Sequence, residues 1–139
     1  MKPERGNDRS LLSPLHLLLL AGLLVLPGWA IYRGLGPTFA AYAAGWVSAI
    51  SLLAVFITWL DKRRAQSQGS REPESMLHLL ELIGGWPGAF LAQRFFRHKT
   101  AKGSYQFMFW LIVLIHQALA ADYLMGWWAV RTGWRLIGA

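Results

Sequence analysis

The stretch Gly84–Tyr105, GGWPGAFLAQRFFRHKTAKGSY, decides the fold of this 139-residue chain. It begins within an apolar run, is interrupted by Gly84-Gly85 and by Pro87, and ends in a basic patch. Such a segment either crosses a membrane as a broken helix, or enters the membrane and returns to the same side, because irregular backbone at that depth needs cover from protein or water. The remainder of the chain helps to choose between these two structures.

The composition is that of a membrane protein. Apolar residues make up 55% of the chain, charged residues only 15%, and eight residues are tryptophan. The chain has no cysteine, which excludes disulfides, thiolate metal sites and cysteine nucleophiles. The net charge of +7 is explained by basic residues that collect on the cytoplasmic side and meet anionic lipid, so no nucleic-acid partner is expected.

Three apolar segments are long enough to span a bilayer as helices: residues 11–31, 38–60 and 105–125. At about 1.5 Å per residue, some 20 residues cross a hydrocarbon core of about 30 Å. Residues 1–10 are then a cytoplasmic tail, and the first segment is an uncleaved anchor, because it is too long for a signal sequence and no cleavage motif follows it. Residues 126–139 form an interfacial C-terminal tail.

The second apolar segment carries two rows of small residues at a spacing of four. The rows are Ala40, Ala44 and Ser48, and Ala41, Gly45 and Ala49. Small residues let helices approach closely in lipid. Packing against the first segment is the preferred interpretation, and a homo-oligomer interface is the alternative.

The segment 73–97 is best explained as a broken re-entrant hairpin. Its limbs, Pro73–Ile83 and Pro87–Arg97, are eleven residues each, roughly 16 Å or half a bilayer. With a hairpin, the two sides of the membrane hold eleven and three lysines plus arginines, whereas a crossing gives nine and five. The positive-inside bias favours the hairpin.

The predicted fold is therefore an all-α integral membrane domain over residues 11–125. It has three transmembrane helices and the hairpin, in the bacterial cytoplasmic membrane, with a cytoplasmic N-terminus. The alternative is four transmembrane helices, the third broken at Gly84–Pro87. The residues assigned to the break are Gly84, Gly85, Pro87 and Gly88.

The hairpin brings two polar segments to one cytoplasmic surface, where they form a candidate site for an anion, a lipid or a partner. The candidate residues are Asp61, Lys62, Arg71, Glu74, Arg97, His98, Lys99 and Lys102. Arginine and lysine suit phosphate, and histidine titrates near neutral pH. The plainer interpretation is that the basic residues are anchors that reach the lipid headgroups.

Four further polar residues lie within apolar segments: His78, Glu81, His116 and Gln117. His78 and Glu81 share a helix face, yet one such pair supplies only two ligands, so neither a metal nor a cofactor is expected. Hydrogen bonding between helices, or exposure of a shallow hairpin at the membrane interface, is the preferred interpretation of this pair. We expect His116 and Gln117 to pair with backbone groups that the hairpin break leaves free, and a proton relay is the alternative.

The pattern DKRRA at 61–65, REPESMLHLL, GGWPGAFLAQ and RHKTAKGSYQFMFW resembles the small bacterial membrane proteins catalogued as domain of unknown function 1294. The resemblance covers Trp46 to Met125. Tyr105 stands where phenylalanine is expected, and Pro87 is not general in the family. The resemblance implies an inner-membrane protein without assigned activity. Some relatives carry an N-terminal cold-shock domain, which is not expected here because ten residues precede the first apolar segment.

The favoured function is non-enzymatic: a basic cytoplasmic face that binds anionic lipid headgroups or a protein partner. One alternative is a membrane enzyme for a lipid-linked or phosphate-bearing substrate, with His98 as acid or base. The other is a subunit of an oligomeric pore or transporter. The glycine-rich GGWPG lacks the lysine and hydroxyl residue of a phosphate-binding loop, and the absence of any enzyme motif argues against catalysis.

Overall fold

The computed structural model describes residues 12–67, 74–100 and 102–138, and all regular structure in these ranges is helical, which confirms the predicted all-helical class. The elements are α1 (Pro14–Gln66), α2 (Glu74–Leu80), one π-helical turn (Glu81–Gly85), α3 (Trp86–Phe96), α4 (Gly103–Leu124) and α5 (Trp128–Leu136). By length and composition, α1 and α4 are apolar enough to cross a membrane.

Helix α1 consists of two limbs that fold back on one another. Gly36 has φ 81° and ψ 174°, a left-handed conformation that glycine adopts without a steric penalty, and it separates residues 14–35 from 37–66. Leu20 and Ala54, one from each limb, belong to the same buried core. Both limbs also line one apolar cavity of about 370 Å³, so they lie side by side.

The second limb is longer than the apolar pattern indicates. It continues to Gln66, so the first residues of the polar stretch after Leu60 are helical rather than a loop. Lysine, arginine, alanine and glutamine are good helix formers, and the helix continues because nothing in Asp61–Gln66 stops it. Asp61 is therefore fixed on a helix.

Pro27 lies inside the first limb without breaking it. A proline cannot donate to the carbonyl four residues earlier, which is that of Leu23. The side-chain amide of Gln117 on α4 donates to this carbonyl at 2.6 Å. The expectation that Gln117 and His116 bond backbone groups at the hairpin break is wrong. Gln117 bonds the carbonyl freed by Pro27 instead, and His116 Nδ1 bonds the Ile112 carbonyl of its own helix at 2.8 Å.

Helix α2, the π-helical turn and α3 form a hairpin, and Gly84 with φ 118° is where the chain reverses. Pro87 is in the first turn of α3, where its missing N–H does no harm. Pro87 frees the Ile83 carbonyl, and Trp46 Nε1 of α1 donates to that carbonyl at 2.9 Å. Each of these two prolines is thus compensated by a side chain of another helix.

The two ends of the hairpin lie at the same end of the bundle. Lys102, just after the hairpin, pairs with Glu74 at its start, and His98 reaches Asp61 near the end of α1. The reversal at Gly84 lies against Trp46 and Val47. Asp61 is fourteen helical steps after Val47 on the same limb, so the hairpin penetrates the bundle by roughly 20 Å.

Close packing holds the hairpin in the bundle. Phe90 and Phe109 are fully buried and contact each other across α3 and α4, with ring centroids 6.4 Å apart. Gly88 lies directly on the backbone of Ser51, and its N–H donates to the Ser51 hydroxyl at 3.2 Å. The C-terminal tail predicted over 126–139 contains helix α5.

Candidate functional site

Asp61 is the centre of the charged end of the bundle. Its carboxylate is fully buried, and one oxygen, Oδ2, accepts hydrogen bonds from His98 Nε2 at 2.6 Å and from Lys99 Nζ at 3.0 Å. A buried carboxylate is costly unless it is paired and hydrogen-bonded. Asp61 therefore holds the loop after α3 against the second limb of α1 through these buried ionic hydrogen bonds.

Lys99 joins two further parts of the bundle, α2 and α4, to this centre. It is 9% exposed, lies 3.9 Å from the Glu74 carboxylate, and places its ammonium 5.1 Å above the ring of Tyr105. Lys102 pairs with the same Glu74 oxygen. The Lys102 hydrogen bond holds the pKa of Glu74 below its usual range, so this carboxylate is ionised at neutral pH.

An unusual turn directs His98 and Lys99 toward Asp61. Arg97 ends α3 in a left-handed conformation with φ 52°, and Lys99 has φ 59°. The His98 N–H donates to the carbonyl of Gln93 at 3.0 Å, which satisfies the end of the helix. Residues other than glycine adopt positive φ at a cost of about 1–3 kcal/mol, and such conformations are concentrated at functional sites.

A second group of polar side chains lies between this turn and the interior of the bundle. Glu81 is fully buried, accepts a hydrogen bond from the Tyr105 hydroxyl, and accepts another from His78 Nδ1 at 2.6 Å. His78 also stacks on the Tyr105 ring, with centroids 4.4 Å apart. The bond from Tyr105 to Glu81 joins α4 to the π-helical turn.

Lys99 above Tyr105 connects the two groups into one network, which we call the polar cluster. Its members are Asp61, Glu74, His78, Glu81, His98, Lys99, Lys102 and Tyr105. The cluster links the end of α1, both ends of the hairpin and the start of α4. Its cations and carboxylates mostly face one another, which favours a structural role in fixing the hairpin.

Of the predicted site residues, five meet in the cluster at the charged end: Asp61, Glu74, His98, Lys99 and Lys102. Lys62 is adjacent and donates to the carbonyl of Phe96, and Arg97 lies exposed at the same end. Arg71 lies outside the described residues. His116 and Gln117 face the first limb and the cavities near it, apart from the cluster.

The sequence did not assign a role to three residues that support the site. Tyr105 carries the bond to Glu81, and its departure from the expected phenylalanine was the available signal. The Gln106 amide donates to Gln93 Oε1 at 2.7 Å and to the Lys99 carbonyl at 3.1 Å, which holds the turn. Within the described ranges, no group of three or more histidines and carboxylates is arranged to hold a metal ion.

Comparison with known proteins places the polar cluster within a recognised family. A family model described as protein of unknown function (DUF1294) matches residues 51–105, which contain every member of the cluster. An uncharacterized protein, YsdA of Bacillus subtilis (strain 168), is 32% identical over 80 residues, which cover 58% of this chain and 90% of that protein. No solved structure matches the chain. The chain therefore belongs to the DUF1294 family of proteins of unknown function.

Proposed function

We propose that this protein is a multi-pass protein of the bacterial cytoplasmic membrane whose basic end binds anionic lipid headgroups. One observation carries the membrane assignment: apolar side chains cover the outside of the bundle while ionisable side chains pair inside it. Leu18, Leu52 and Leu114, on different helical segments, are 62–71% exposed, whereas Asp61 and Glu81 are fully buried. An apolar surface of this extent is satisfied by lipid rather than by water.

In this proposal residues 11–31, 38–60 and 105–125 span the bilayer, and the hairpin 73–97 enters from the cytoplasmic side and returns to it. The neighbouring positions of Glu74 and Lys102 support this path, since both ends of the hairpin then lie on one face. The reversal at Gly84 falls about half a bilayer below that face. There the backbone is covered by Trp46 and by the packed helices.

The lipid-binding surface is a basic rim around the polar cluster. The rim consists of Lys62, Arg63, Arg64, Arg97 and Lys102. Arg63 is exposed and its guanidinium lies 4.8 Å above the ring of Trp59, an arrangement typical of the headgroup region. With Lys99, this end of the bundle holds six basic residues and the two carboxylates of Asp61 and Glu74 among the described residues, so its formal charge is positive. This positive charge attracts lipid phosphates.

Replacing Arg63 and Arg64 by glutamine should reduce the preference of the protein for phosphatidylglycerol over phosphatidylcholine. Each basic residue near an anionic surface contributes about 1 kcal/mol, so we expect about fivefold weaker relative association per charge removed. The measurement is the relative association constant of spin-labelled lipids with the reconstituted protein. The matched control is the pair Arg63→Lys and Arg64→Lys, which keeps the charge and the preference. An unchanged preference in the glutamine variant would refute lipid binding by the rim.

A further inference from the structure

The C-terminal helix α5 has one apolar side and one basic side. At about 100° per residue, Arg131 and Arg135 fall on the same side, one turn apart. The apolar residues on the opposite side are Ala129, Val130, Leu136 and Ile137, and Trp134 lies at the edge of this side, next to Arg131. No acidic residue follows Asp122 in the sequence, so this end of the chain is positively charged.

The apolar side of α5 is not used for packing. Trp134 is 64% exposed and Ile137 is 81% exposed, and α4 is the element against which α5 packs within the described part of the chain. A short helix with large apolar side chains opposite arginines matches the pattern of helices that lie in a membrane interface. A helix of this kind is stable when its apolar side is covered.

The direction of α5 relative to α4 is fixed by a turn and by hydrogen bonds to Asp122. Gly126 and Trp127 have φ of 69° and 60°, which ends α4 and turns the chain. The buried carboxylate of Asp122 then accepts the Ala129 N–H at 2.7 Å, and the Asp122 carbonyl accepts the Trp127 N–H at 2.8 Å. A buried acidic group that caps the first turn of a helix stabilises it. Helix α5 is therefore held at a set angle to α4.

The exposed apolar surface on the outside of the bundle ends near the start of α5. Tyr123 on the last turn of α4 lies against Gly34, the end of the first limb. Close to this point Trp29 and Tyr32 stack on the outside, with ring centroids 6.0 Å apart. Tryptophan and tyrosine are enriched where the hydrocarbon meets the headgroups. The surface that meets α5 is thus continuous with the proposed lipid-facing surface.

We infer that α5 is an interfacial anchor that binds anionic lipid in the leaflet opposite the basic rim. Its apolar side enters the boundary between acyl chains and headgroups, and Arg131 and Arg135 contact the lipid phosphates. Charge complementarity and the continuity of the apolar surface select a lipid surface as the partner. This inference rests on the proposed membrane insertion.

The absence of native cysteine makes a labelling test direct. Single-cysteine variants Val130→Cys and Trp128→Cys, at exposed positions on the apolar and arginine sides of α5, carry an environment-sensitive fluorophore in nanodiscs that contain phosphatidylglycerol. We expect the label at 130 to be quenched by shallow lipid-borne nitroxide and shielded from iodide, and the label at 128 to show the reverse. In the Val130→Cys background, Arg131→Gln with Arg135→Gln should weaken the lipid-bound state about fivefold per arginine.

Equal iodide access at 130 and 128 overturns the inference, as does a label at 130 that responds identically in nanodiscs made only of phosphatidylcholine. A label at Leu114→Cys, on an exposed position of α4, separates the two levels of the proposal. If deep nitroxides quench the label at 114 but shallow ones do not quench the label at 130, the anchor is refuted and membrane insertion stands. If the label at 114 is not quenched either, both are refuted.

Discussion

Replacement of Asp61 by alanine is expected to lower the free energy of unfolding by about 3–5 kcal/mol, the usual cost of removing one partner from a buried ion pair. Asp61 is fully buried, and the substitution leaves the nearly buried Lys99 without its closest carboxylate and His98 without its acceptor. The hairpin should then separate from the end of α1. Denaturant titration in a mild detergent, followed by circular dichroism, measures this loss.

Glu74→Ala is the matched control for that experiment. Glu74 and Lys102 are 35% and 53% exposed, and exposed ion pairs contribute about 0–1 kcal/mol. The double variant Asp61→Ala with Lys99→Met should recover part of the loss, because it removes the unpaired cation as well. If the Asp61 and Glu74 variants were equally mild, Asp61 would not be the centre that holds the hairpin.

Gly88→Ala is expected to destabilise the bundle by at least about 1–3 kcal/mol, the usual cost of overpacking a core. A Cβ atom at this position would lie 2.2 Å from the Ser51 carbonyl oxygen and 2.6 Å from the Ser51 Cα. These are backbone atoms, which cannot rotate away as a side chain does. The hairpin must move off α1, and the bonds from Trp46 and Ser51 to the hairpin must lengthen. The same denaturant titration reports the change.

Gly45→Ala tests whether the Gly88 effect is one of space rather than of glycine as such. Gly45 is also helical and lies on α1, but a Cβ there meets no atom within 4 Å. Alanine is a better helix former by about 1 kcal/mol, so this variant should be neutral or slightly more stable. A loss at Gly45 equal to that at Gly88 would contradict the close contact between α3 and α1.

The helical segments were predictable because apolar runs about 20 residues long leave few alternatives. Residues 38–60 and 105–125 fall within the second limb of α1 and close to α4. Their exact ends were not predictable. Residues 61–66 are polar and yet helical, because helix propensity continues where the apolar pattern stops. The break at Gly36 falls between the predicted segments 11–31 and 38–60, whereas a helix that continues through Pro27 could be predicted only with knowledge of the side chain that bonds the freed carbonyl.

That partner shows where sequence reasoning ends. The sequence indicates that a carbonyl is freed by each proline within an apolar helix, and that an amide such as Gln117 is suited to bond it. The sequence does not indicate which side chain bonds which carbonyl. Gln117 bonds Leu23, which is 94 residues away, and Ile83 is served by the indole of Trp46. The free carbonyl can be located from the sequence, but the side chain that bonds it is determined by tertiary packing.

Most residues of the polar cluster were predictable from the sequence, but the bonds that join them were not. Asp61 and His98 are 37 residues apart, and they meet only because the hairpin returns to its starting level. The positive φ of Arg97 and Lys99 has no sequence signal, since neither is glycine. The join to Glu81 through Tyr105 was also missed, because an aromatic residue at the start of an apolar helix usually indicates only packing.

The most direct test of the account is the topology of the chain in the membrane. Reporters active only in the periplasm or only in the cytoplasm are fused after Ala139, with controls after Gly36 and Gly69. A periplasmic C-terminus, with Gly36 periplasmic and Gly69 cytoplasmic, is the predicted result and keeps Asp61 and His98 on one face. A cytoplasmic C-terminus would mean that the segment around Gly84 crosses the membrane, which contradicts both the re-entrant hairpin and the basic rim.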